Sequence, residues 1–253
     1  MALKRVDYDD NQHVHYAKGR QMPAEALTRW MVRFAAHLPA RRPLSLIDLG
    51  SGVGRLTPAL AETFGGPVWG VEPSAKMRAV AEATAAHPAV TWLAGEAEAI
   101  PLPDDTADAV LMFLSIHHVP DRAAAAAEIA RVLKPGGRVL VRSPFSDRMN
   151  GGWWQRFFPR ALEIERRMFP TLAETAGVFE AVGLRTIALE VVNETYAASA
   201  AEAAAKLRLR AISTFEHMTE AEIAEGFARM DAHVAAHPDD HPDTGESDLL
   251  VMG

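Results

Sequence analysis

Residues 44–60 read LSLIDLGSGVGRLTPAL, and this stretch decides the fold. Leu44, Leu46, Ile47 and Leu49 make a short apolar run suited to a strand buried on both faces. Gly50, Gly52 and Gly54 then permit backbone geometry that side chains would block. From Val53 the apolar positions fall at Val53, Leu56 and Leu60, a helical spacing. Strand, glycine turn and helix in this order form the opening unit of a nucleotide-binding α/β sheet.

The glycine spacing narrows the nucleotide. The dinucleotide fingerprint places its third small residue five positions after the first. That position here is Arg55, and the third glycine comes one residue early, at Gly54. Asp48 stands two residues before the first glycine, giving D-x-G-x-G-x-G. A pyrophosphate wants neutral backbone N–H groups and the positive end of a helix. A carboxylate ahead of the loop suits a ligand carrying positive charge, such as an amino acid ammonium.

Working outward, a chain of 253 residues fits one domain with an elaboration and can bury a sizeable core. No apolar run approaches the roughly 18 residues of a membrane span, and the opening MALKRVDYDDNQHVHY has no apolar signal-peptide region. A cytoplasmic protein with no membrane partner is the expectation. The absence of cysteine excludes disulfides, thiol nucleophiles and iron–sulfur clusters. A net charge of −7 argues against extended contact with nucleic acid phosphates. The histidines fit no H-E-x-x-H or comparable ligand spacing, so no metal is expected.

In chain order, a helix is expected from Pro23, with Leu27, Trp30, Met31, Phe34 and Leu38 on one face. After the glycine-loop helix, Gly65-Gly66 closes that segment, and PVWGVE (67–72) reads as the second strand. Glu72 ends this strand where an acid can accept hydrogen bonds from ribose hydroxyls. Ser74 is a helix N-cap, VTWLA (90–94) the third strand and ADAVLMFL (107–114) the fourth. Asp121 caps an alanine-rich helix that closes at Lys134-Pro135-Gly136-Gly137, before a fifth strand containing Val139–Val141. Strands alternating with helices imply right-handed crossovers and a mainly parallel sheet. Further on, residues 171–182 read as a helix, 184–193 as a sixth strand, 199–237 as helical throughout, and SDLLVM (247–252) as a terminal strand.

Four segments together resemble class I S-adenosylmethionine-dependent methyltransferases: IDLGSGVGRLTPAL, VWGVEPSAKM, LAGEAEAIPLPDDTADAVLMFLSIHHVPD and EIARVLKPGGRVLV. The nearest likeness is to the small-molecule group resembling the ubiquinone/menaquinone C-methyltransferases. The resemblance implies a Rossmann-like α/β fold in one domain. Its mostly parallel seven-stranded sheet would carry helices on both faces. An N-terminal lid and helix would span 1–42, the core 43–198, a helical insertion 199–243, and a last strand 244–253, antiparallel beside the sixth. It implies S-adenosylmethionine as cofactor, with S-adenosylhomocysteine as product. Asp48, Gly50, Ser51, Gly52 and Gly54 would hold the methionine part. Glu72, with Pro73 and Met77, would bind the ribose side. Glu96, Ala97 and Glu98 would lie at the adenine, and Leu114 and Ser115 near the sulfonium. Glu96 stands where the family often has Asp. Tyr16 and Arg20 resemble a lid pair.

Methyl transfer from a sulfonium is an in-line displacement, for which alignment can contribute about 7–11 kcal/mol. Where the acceptor must lose a proton, His118 leads as base, followed by His117 and Tyr16. Trp153, Trp154, Phe157 and His217 are candidates for the acceptor side, and they suggest a small, largely apolar or aromatic metabolite. The methyl could go to carbon, nitrogen or oxygen. A non-catalytic cofactor-fold protein and a nicotinamide-dependent oxidoreductase are the competing classes, and the helical insertion could pair two subunits. Ser-Ile-His-His after the fourth strand replaces the N/D-P-P-Y motif that nucleic acid methylation would call for.

Overall fold

The computed structural model describes residues 22–194, 197–240, 242 and 245–253. Seven strands form one sheet in the order β3-β2-β1-β4-β5-β7-β6. These are β1 (Leu44–Leu49), β2 (Gly65–Val71), β3 (Val90–Leu93), β4 (Ala107–Phe113), β5 (Leu133–Arg142), β6 (Thr186–Glu194) and β7 (Gly245–Met252). The first five run parallel, and β7 lies antiparallel between β5 and β6. Chain order reverses between β1 and β4, the position at which such sheets bind ligands beyond the strands' carboxyl ends.

Strands β1 and β4 are buried along their whole length, which explains their mostly apolar sequences; the polar exceptions, Ser45, Asp48 and Asp108, are buried and hydrogen-bonded. On one face Ile47, Leu49, Val110, Met112 and Val141 meet Ala125, Ala126 and Ile129 of α4 (Arg122–Val132) and Phe179 of α6 (Leu172–Glu180). The alanines of α4 bring its axis close to the sheet, and Asp121 caps it by accepting from the Ala123 and Ala124 amides. On the other face Leu44, Leu46, Leu111 and Leu140 meet Trp30 and Phe34 of α1 (Ala24–His37) and Leu60 and Phe64 of α2 (Thr57–Phe64). Gly65, at φ 69°, turns the chain from α2 into β2. Helix α3 (Ala75–Thr84) begins at Ser74, whose Oγ accepts from the Met77 amide.

A third core stands apart from the sheet. Trp153, Phe157 and Phe158 pack with Phe215, with Ala200, Ala203 and Leu207 of α7 (Ala200–Arg208), and with Ile223, Phe227 and Met230 of α8 (Glu220–Ala236). This cap differs from the expectation in two ways. Residues 199–237 are not one helical run: α7 ends at Arg208, Arg210 takes φ 50°, and a 3-10 turn spans Ser213–His217. Helix α8 then restarts from a capping box between Thr219 and Glu222, a local start signal that overrides periodicity. A short helix unforeseen in the sequence, α5 (Ala161–Met168), buries Ala161 and Ile164. Among the described residues, no helix is long and apolar enough to cross a membrane.

Candidate functional site

The carboxyl ends of β1, β2 and β4 meet at the glycine loop. Gly50 (φ 76°), Gly52 (φ 58°) and Gly54 (φ 78°) all adopt the left-handed region that favours glycine. At Gly50 close approach adds to this, because a Cβ would lie 2.5 Å from Ser115 Cβ. Ser115 Oγ donates to the Leu49 carbonyl at 2.7 Å, tying the end of β4 to that of β1. Ser115 reaches this position because Leu114 holds φ 57°. Such a backbone is costly for a branched side chain and is typically stored at functional sites.

The loop's amides turn inward. Gly50 and Ser51 N–H donate to the Val71 carbonyl (2.8 and 3.2 Å), and Gly54 N–H donates to the Ser51 carbonyl (3.0 Å). Gly52 N–H donates to Glu72 Oε2 at 2.9 Å, and Ser74 N–H to the same carboxylate's Oε1 at 2.9 Å. Arg78 completes this turn by donating to the Glu72 and Pro73 carbonyls. A phosphate cradle needs those N–H groups pointing outward. Here they are consumed by β2 and its acid.

Asp48 is buried beneath the loop and accepts from Thr57 Oγ1 at 2.7 Å. Burial pushes its carboxyl up to about 6; the Thr57 bond and nearby Arg55 oppose that shift, and Glu72 adds to it. Met77 is buried and Pro73 exposed. Past β3, Glu96 bridges to Ala99, Ala97 packs on the sheet core, and Glu98 Oε1 accepts the Asp121 amide at 3.1 Å. Thr57 and Arg78 are parts of this site that sequence reasoning missed. Only Thr57, at the first turn of α2, carried a usable signal.

His117 and His118 lie in the 3-10 turn Ile116–His118, directly after Ser115. Their rings are 3.8 Å apart, and His117 lies tilted against Phe169 at 4.2 Å, joining this turn to the segment after α5. His217 is half-buried in the cap, where burial lowers its pKa; Glu216 raises it and Arg167 lowers it further. Trp153 and Phe157, expected toward the acceptor, are instead sealed in the cap core at 5% and 7% exposure. Trp153 Nε1 is spent on Asp240 at 2.8 Å. Helical aromatic spacing served packing there, and Trp154 alone of the three is half-buried. Tyr16 and Arg20 lie outside the described residues. Among the described residues, no cluster of three His, Asp or Glu could hold a metal ion.

The residues fit S-adenosylmethionine better than a phosphate ester. Two acids, Asp48 and Glu72, accompany a loop whose Gly50, Ser51, Gly52 and Gly54 amides all bond within the protein, and Ser51 Oγ is buried with no hydrogen-bond partner.

A family model for a methyltransferase domain matches residues 47–141. The ubiquinone/menaquinone biosynthesis C-methyltransferase UbiE of Caulobacter vibrioides is 30% identical over 187 residues, 62% of this chain and 74% of that protein. The chain belongs to the class I methyltransferase family. An uncharacterized methyltransferase of Mycobacterium tuberculosis is 43% identical over 140 residues, 54% of this chain and 52% of its own length, so the match spans about half of that relative. A candidate methyltransferase from an antibiotic biosynthesis pathway of Anabaena variabilis has a crystal structure with TM-score 0.72 and 24% identity. That likeness covers 88% of this chain and 96% of the other and shows a shared fold.

Proposed function

We propose that this chain is an S-adenosylmethionine-dependent methyltransferase acting on a small, largely apolar or aromatic metabolite. One observation carries the reading: the glycine loop turns its amides inward, with Asp48 buried beneath it and Glu72 bonded to its Gly52 amide. Acids in place of phosphate donors suit a ligand with an ammonium and a sulfonium. The cofactor supplies a methyl group already activated on sulfur. Asp48 and the Gly50–Gly54 backbone hold its amino acid part, Glu72 with Pro73 and Met77 its ribose, and Glu96–Glu98 its adenine. Leu114 and Ser115 border the sulfonium, and Tyr16 and Arg20 form the lid.

The acceptor enters between the Ser115–His118 turn and the cap, with Trp154 and His217 as the cap's contributions. His118 takes a proton where the acceptor must lose one, and His117, set by Phe169, orients it. The Caulobacter relative is named for C-methylation in quinone biosynthesis, which supports a ring carbon as acceptor. N- and O-methylation are the other outcomes of the assay.

Thermal-shift titration tests the cofactor. S-adenosylmethionine and S-adenosylhomocysteine raise Tm, whereas NAD does not; stabilisation by NAD alone overturns the reading. Turnover against a metabolite panel identifies the acceptor. In that assay His118→Ala lowers kcat about 10²–10⁴-fold with cofactor affinity unchanged.

A further inference from the structure

Trp92, on β3, is wedged between the glycine loop and the strand beneath it. It pairs with Gly70 in the parallel ladder of β2 and β3. A Cβ on Gly70 would lie 2.4 Å from Trp92 Cε3 and Cζ3. A Cβ on Gly54 would lie 2.5 Å from Cη2 and 3.1 Å from Cζ2 of the same ring. One indole therefore touches the bare backbone of two glycines on two different segments. A glycine inside a strand usually marks such close approach, and Gly70 has no other backbone need, since its φ lies outside the left-handed region. At its opposite end the loop meets Ser115, whose Cβ would be 2.5 Å from a Cβ on Gly50. The loop is thus clasped between two side chains. Ser115 fixes where it leaves β1, and Trp92 fixes where it enters α2.

We propose that Trp92 is a positioning residue for cofactor binding. Its ring holds Gly54 and Gly70 apart at the spacing that keeps the loop amides on Val71 and Glu72, without itself touching the cofactor. This inference rests on the cofactor reading above. It also adds a second demand at the third glycine of D-x-G-x-G-x-G: Gly54 is favoured as glycine by its φ of 78°, and an indole lies against it as well.

The test is a double-mutant cycle on Trp92 and Gly70, read by calorimetric titration of S-adenosylhomocysteine and by Tm. Trp92→Ala weakens affinity about tenfold through a loop no longer preorganised. Trp92→Phe keeps the part of the ring over Gly70, loses the edge on Gly54, and gives an intermediate value. Gly70→Ala costs about tenfold beside the intact indole and less than about twofold in the Trp92→Ala background, where the two closest contacts are gone and only the Ser51 hydroxyl, 3.1 Å from the new Cβ, has to give by a few tenths of an ångström. Equal loss in both backgrounds overturns the proposal, as does a fall in Tm with cofactor affinity unchanged. Amide exchange over residues 50–56 without cofactor separates this idea from the cofactor reading. Faster exchange in Trp92→Ala at native Tm supports positioning even if the wild-type chain binds no S-adenosylhomocysteine. Unchanged exchange overturns it.

Discussion

The glycine-loop region and the helical cap are held by different physics. At the loop the contacts are backbone amides, two buried carboxylates and side chains pressed on bare glycines. Each atom there has a fixed place, and a shift of one moves the others. In the cap, aromatic rings interlock edge to face and stack: Phe158 on Phe227 at 5.2 Å and Phe215 on Phe227 at 5.9 Å. Around that core runs a rim of exposed ion pairs such as Arg160–Glu222 and Arg208–Asp231. Rings of similar volume can replace one another in such a core at modest cost. The loop tolerates no such exchange, so one half of the molecule is suited to a constant ligand and the other to a changing one.

The sharpest way to break this comparison is Glu72→Ala. It orphans the Gly52 and Ser74 amides, each worth about 1–3 kcal/mol when buried and unsatisfied. Cofactor affinity measured by calorimetry falls about 100-fold or more, with the cap's proteolytic resistance unchanged. Next comes Asp48, whose folded pKa of about 6 lies above the ordinary 3.8. Between those two pH values the folded state holds a proton that the unfolded state has lost. Stability therefore falls as pH rises through this window, by up to about 3 kcal/mol, and levels off above it. Urea unfolding against pH shows the slope, and Asp48→Asn removes it. At the opposite end of the sheet, burial of Asp108 is outweighed by Ser45, Arg41 and Lys134, which hold its carboxyl far below the usual range. Its contribution has the opposite sign and disappears only in strong acid.

A smaller effect is expected within the cap. Gly226→Ala places a Cβ 2.2 Å from the Phe158 ring and costs about 1–3 kcal/mol through overpacking. Limited proteolysis should report a looser cap, with cofactor affinity within about twofold of wild type. A large loss of cofactor affinity would show that the two regions are coupled. Smallest of all, Arg160→Ala removes an exposed pair with Glu222 and shifts Tm by less than about 2 °C.

The same contrast explains what could be read in advance. D-x-G-x-G-x-G is legible because backbone geometry leaves glycine as the practical choice, and a fully buried strand is mostly apolar, with Asp48 and Asp108 standing out as the acids it holds. The last strand was equally plain: SDLLVM is apolar, short and bounded by an acidic loop, and it pairs antiparallel with β6 as expected. Trp92 gave no signal, because a tryptophan in a strand looks ordinary until its neighbours are known; Leu114 is expected on the sulfonium side, but nothing in the sequence marks its φ of 57°. In the cap, the 3.6-residue period showed which residues are apolar on one side. It did not show where the chain breaks, at Arg210 and Ile212–Met218, or that Trp153 and Phe157 turn toward α7 and α8. The Thr219–Glu222 capping box was present in the sequence and is the better boundary signal.

The placement of β7 has a temporal consequence. It enters the interior of the sheet, between β5 and β6, yet its residues are made after the whole cap. Until Leu249–Met252 emerge from the ribosome, β5 has no neighbour on its outer side and β6 cannot join the sheet at all. The cap's three-part core thus has time to form on a scaffold still missing its seam, and the final strand closes the molecule as a zip closes from the inside. A chain stopped short of that strand loses the link that joins β6 to β5.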